Sequence, residues 1–167
     1  MKSVRQRIKP RSIGLLGVLI ALALLASACS SGSSAKVVVV HSSKVGADIL
    51  EVAGRPVYVH LLSTGAPAAC TTACLSEWPA VDASSVPPAG SGVHASMLST
   101  TLLAGGTRVL TYDGRHLNFF YEDTSSHVTG EGIESFGGFW YVVSPSGKPI
   151  IRSAVSPPSA RPSGGSY

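Results

Sequence analysis

The chain has 167 residues, with 13 Lys and Arg against 9 Asp and Glu, a formal charge of +4 and 44% hydrophobic residues. Five of the cations, Lys2, Arg5, Arg7, Lys9 and Arg11, fall in the leader, which leaves 8 against 9 from residue 29 onward. The remainder is therefore near neutral, which excludes a basic nucleic-acid footprint, and its length suits one core of ordinary domain size.

The first segment reads as an export signal. A basic start is followed by an uncharged apolar run over 13–26, which at fourteen residues is shorter than the about 20 needed to cross a bilayer. Small residues Ser27 and Ala28 precede Cys29, the arrangement of a lipoprotein signal in which the thiol takes a diacylglycerol and the chain is cut before it. Residues 1–28 are thus expected to be removed and 29–35 to form a lipidated, Ser-rich tether. The expected location is the extracytoplasmic face of the cell membrane, with the membrane as a partner through the lipid anchor.

A β-repeat domain is predicted over 36–152, with halves of about 36–82 and 97–152. Short β-branched or aromatic runs at 37–40, 49–52, 57–62, 108–112, 117–121 and 139–143 read as strands. Asp113-Gly114 is a strong two-residue hairpin signal and Ala53-Gly54 a weaker one. Pro145-Ser146-Gly147 marks a third turn. Helix is confined to turns over 72–78 and 96–103, and 83–95 reads as a dividing loop. The Ser- and Pro-rich 153–167 is expected to be disordered. The fold class that results is all-β, mainly antiparallel: a single compact domain made from two degenerate β repeats with short helical turns.

The halves echo each other. Gly54-Arg55-Pro56-Val57-Tyr58-Val59-His60 matches Gly114-Arg115-His116-Leu117-Asn118-Phe119-Phe120 at an offset of sixty residues, and tryptophan follows each, at Trp78 and Trp140. With Cys70, Cys74 and Trp78-Pro79 in the first copy and 137–145, Gly-Gly-Phe-Trp-Tyr-Val-Val-Ser-Pro, in the second, the pattern resembles the bacterial lipoproteins of the "secreted repeat of unknown function", described by a Yx(FWY)xxD motif. The resemblance covers roughly 48–150. It implies a β fold and an envelope location, and no known reaction. The motif is eroded: Tyr58 is kept but His60 holds the aromatic slot and Ser63 the acidic one, whereas Asn118 replaces the second tyrosine while Phe120 and Asp123 remain.

With Cys29 assigned to lipid, Cys70 and Cys74 are left as a pair that reads as a disulfide in an exported protein. Residues i and i+4 of a regular helix stand too far apart at Cβ for that bond, so 71–73 is expected to form a tight turn. The alternative is a Cu(I) or redox site made by the two thiols with a histidine such as His60. His41, His60, His94, His116 and His127 have no ligand spacing. The aromatic residues are expected to pack the core, with a binding face as the alternative. His60 is expected to be packed and His116 exposed. Glu122, Asp123, Glu131 and Glu134 read as a solvated acidic face rather than a Ca²⁺ loop.

No GxSxG, HExxH or phosphate loop occurs, so no catalytic residue, metal or cofactor is expected. The sequence points to a non-catalytic envelope module whose partner is an envelope protein or a small ligand.

Overall fold

The computed structural model describes residues 35–125 and 127–151. Cys29, nearly all of its tether and the 153–167 tail lie outside the described residues.

Each copy opens with a three-stranded antiparallel sheet. In the first, β1 (Val37–Ser42) pairs with β2 (Ala47–Val52), which pairs with β3 (Arg55–Pro56). A single strand, β4 (Tyr58–Leu61), follows, then the helix α1 (Thr72–Glu77). In the second copy, β5 (Leu98–Leu102), β6 (Arg108–Tyr112) and β7 (Arg115–His116) repeat the sheet. The last two strands, β8 (Glu134–Ser135) and β9 (Gly138–Val142), form an antiparallel sheet with β4 in the order β4-β9-β8.

The turns explain the hairpins. Val52 pairs with Arg55 and Tyr112 with Arg115, so each connection has two residues. Both central residues take positive φ, 53° and 74° at Ala53-Gly54 and 49° and 73° at Asp113-Gly114, the backbone twist that matches paired strands. A further two-residue turn, Phe136-Gly137 (φ 53° and 80°), joins β8 to β9. The Pro145-Ser146-Gly147 turn also forms, closed by Ser144 N–H to Lys148 O at 2.9 Å.

Three expectations are corrected. The run 117–121 is not a strand, since it makes only isolated bridges from Asn118 to Tyr58 and Ala80. The segment 96–103 is a 3₁₀ turn at Ala95–Met97 followed by strand β5, not a helical stretch. Nor is 71–73 a tight turn: Thr71 is extended and Thr72 and Ala73 already belong to α1, so Cys70 reaches Cys74 from outside the helix.

The two copies are joined by a pseudo-two-fold pattern of backbone bonds. Tyr58 N–H donates to Asn118 O at 2.8 Å and Asn118 N–H to Tyr58 O at 2.9 Å. Leu50 N–H donates to Val143 O, and its counterpart Leu110 N–H to Val81 O. Val143 N–H donates to Val57 O, and Val81 N–H to Leu117 O. The segment after each tryptophan thus pairs with the opposite copy, so the halves exchange their last strands rather than lying side by side.

Side chains divide as strand alternation requires. Val57, Val59 and Leu61 face one cluster with Leu50, Leu110, Leu117 and Val143. Tyr58 faces a second with Ile49, Trp78, Phe120, Trp140 and Val142.

Candidate functional site

Four rings lie in a row through the second cluster. His60 stacks on Trp140 (centroids 4.2 Å apart, planes 2° apart), Trp140 on Trp78 (4.0 Å, 1°), and Trp78 on Phe120 (4.3 Å, 31°). The row obeys the same pseudo-symmetry, His60 answering Phe120 and Trp78 answering Trp140. Both tryptophans are completely buried. Trp78, Trp140 and Phe120 are core and offer no binding face, while His60 ends the row. Phe119, Phe139 and Tyr141 are half-buried, and Tyr121 is exposed and hydrogen-bonded to Glu122, a bond that raises its pKa.

Close backbone approach fits the row into the fold. A Cβ on Gly130 would stand 2.7 Å from Trp78 Cη2, and one on Gly138 would stand 2.6 Å from His60 Nε2, so neither position has room for a side chain. Burial pulls the His60 pKa below the usual imidazole value, opposed by the backbone at Ser135 and Ala69. Its Nε2 lies 3.2 Å from Ser135 O.

The motif residues come together across the copies. The Tyr58 hydroxyl donates to Asp123 Oδ2, Thr129 N–H donates to Asp123 Oδ1 at 2.9 Å, and Gly130 N–H donates to the Tyr58 hydroxyl at 3.3 Å. Burial raises the Tyr58 pKa, and the Asp123 bond and charge raise it further, so the hydroxyl stays protonated as the donor. Tyr58 of the first repeat and Asp123 of the second thus form one buried pair.

This corrects the expected acidic face in part, since Glu122 and Glu134 are exposed as expected but Asp123 and Glu131 face inward. Asp123 is only 3% exposed, and Glu131 Oε2 accepts Val142 N–H at 2.8 Å. Among the described residues no group of His, Cys, Asp and Glu is arranged to hold a metal ion. Thr129 and Gly130 escaped the sequence reading, since neither carries a motif letter.

At the pseudo-symmetric position the pair is absent. Asn118 stands where a second tyrosine would, its Nδ2 donating to Trp78 O at 2.8 Å, and Ser63 at the acidic position is exposed. Here a cleft of about 420 Å³ opens, lined among others by His60, Cys70, Leu75, Val109, Arg115 and Asn118. Its counterparts sixty residues away pack together: Tyr58 lies in one cluster with Ile49, which answers Val109. Arg55, which answers Arg115, lies 4.4 Å over the Phe119 ring and donates to Phe120 O at 2.7 Å. Arg115 instead turns to Asp113 Oδ2 at 2.8 Å.

Cys70 and Cys74 stand at disulfide distance (S–S 1.99 Å, Cα–Cα 5.3 Å), with Cys74 fully buried and Cys70 at the cleft wall. His116 is exposed at the same wall.

Compared with known proteins, the chain matches no protein-family profile, no curated protein and no solved structure.

Proposed function

We propose that this chain is a lipid-anchored, extracytoplasmic lipoprotein of the secreted-repeat type, a non-catalytic binding module held to the cell membrane through Cys29, with the Asn118 cleft as its ligand site. The observation that carries the binding role is the asymmetry between the copies. One side is closed by Tyr58 and Asp123, while the equivalent side is open and lined by a cation, imidazoles and apolar walls. Its volume is within the range of small-ligand pockets. The leader and Cys29 support the anchor, because two acyl chains hold a domain on a bilayer stably where one does not.

A redox or copper-handling role is the second reading, favoured by the one observation that Cys70, His60 and His116 share the cleft. It needs both sulfurs reduced.

Intact mass of the protein extracted from membranes, alkylated before reduction and assayed for metal, separates these. The proposal expects a diacyl mass on a chain starting at Cys29, with Cys70 and Cys74 unalkylated and no stoichiometric metal. Alkylated thiols with bound copper would replace it by the second reading, and an unlipidated chain would remove the anchor.

A further inference from the structure

We propose that the Asn118 cleft takes a small planar aromatic ring bearing an acidic group, the ring entering the place that a tyrosine at position 118 would fill. The proposal rests on the reading of the cleft as a ligand site and adds the class of ligand.

The pseudo-symmetry supplies the shape. Tyr58 and Asn118 exchange backbone bonds across the axis, so their Cβ atoms start from equivalent places. On the filled side the Tyr58 ring meets Trp78 edge-on, with centroids 5.4 Å apart and planes at 76°. On the open side the shorter Asn118 stops at the Trp78 carbonyl. Val109 in place of Ile49 widens the space further. What remains is a slot with a tyrosine-sized deficit beside a wall of stacked rings, the first of which, His60, lines it. A cavity left by a missing side chain in an otherwise packed core accepts a ligand of the missing shape. Aromatic rings gain from edge-to-face or offset contact beyond their buried area.

Charge supplies the second half. Arg115 is the charged side chain among the residues lining the cleft, and no carboxylate lines it. Asp113 holds Arg115 from outside through Nη1. A guanidinium in that place favours an anionic group on the ligand, and the exposed His116 stands at the same wall.

The test titrates the full-length protein, by heteronuclear NMR, with four probes: 4-hydroxyphenylacetate, 4-hydroxybenzoate, p-cresol and cyclohexanecarboxylate. The expected order places the two aromatic acids about tenfold tighter than cyclohexanecarboxylate. Asn118→Tyr should abolish binding of all four. Arg115→Gln should weaken the two acids severalfold and leave p-cresol unchanged, a comparison that stands if Asn118→Tyr fails to fold. Equal affinity for cyclohexanecarboxylate and the aromatic acids, all lost in Asn118→Tyr, would overturn the aromatic assignment and leave the cleft as the ligand site. Aromatic binding untouched by a folded Asn118→Tyr would remove the cleft as the site altogether. No binding of any aromatic probe at millimolar concentration would also overturn the assignment.

Discussion

The hydroxyl of Tyr58 donates to the carboxylate of Asp123, 65 residues further along the chain and in the other repeat. The fold joins the tyrosine of one repeat to the acid of the other. At the pseudo-symmetric position Asn118 bonds the Trp78 carbonyl and Ser63 is exposed, so no such pair forms there. One side of the repeat pair is thus closed and the other open.

The closed pair should matter for stability. Tyr58→Phe removes the donor to a buried carboxylate and also the acceptor of Gly130 N–H. Hydrogen bonds to charged groups contribute about 1.5–3 kcal/mol, so urea unfolding should register a loss of about 2–3 kcal/mol with little change in m-value. A loss below about 0.5 kcal/mol would mean that water replaces the bond.

Gly130 should resist any side chain. Gly130→Ala puts a methyl 2.7 Å from Trp78 Cη2 and 3.1 Å from Phe120 Cγ, in a stack with no slack. Overpacking of this kind costs about 1–3 kcal/mol, and thermal unfolding should show it, together with altered tryptophan fluorescence. An unchanged melting temperature would contradict the packed row.

Acid should weaken the fold through His60. Its folded pKa is lowered by burial, whereas the unfolded side chain titrates near 6.5. Below that value the unfolded chain binds the proton more readily than the folded one, so the stability contribution is complete above about 6.5 and is lost as pH falls toward the lower folded value. His60→Phe, which copies its counterpart Phe120, should flatten stability between about pH 7 and pH 5. The other four histidines are exposed. A variant as acid-sensitive as the parent would place the effect elsewhere.

The cysteine pair should act locally. Cys74→Ser opens a short loop, for which the chain-entropy relation gives about 2 kcal/mol. The melting temperature should fall with no bound metal lost. A stoichiometric metal present in the parent and absent from the variant would favour the redox reading.

Much of the architecture is legible in the sequence, and the reasons are local. Asp113-Gly114 and Ala53-Gly54 announce their hairpins because few residue pairs accept two positive φ values. The internal repeat sets His60 against Phe120 at an offset of sixty residues and Trp78 against Trp140 at sixty-two, and the ring row respects both pairings. Strand β5 escapes because its middle, Ser99-Thr100-Thr101, has no apolar alternation and lies at the surface. From the sequence Asp123 reads as solvated, because an acidic residue next to Glu122 has no mark of a buried partner. That partner is a non-local contact, as is the exchange of last strands that creates it. The cleft is invisible for the same reason, since a missing tyrosine at 118 becomes a cavity only once Tyr58 is seen filling the equivalent space.

The central claim is that the two copies close on each other through Tyr58 and Asp123, leaving the Asn118 side open. A double-mutant cycle with Tyr58→Phe and Asp123→Asn, read by urea unfolding, measures it most directly. The account predicts a coupling of about 1.5–3 kcal/mol, so that the double variant is barely less stable than the worse single variant. Strictly additive losses, with coupling near zero, would contradict it.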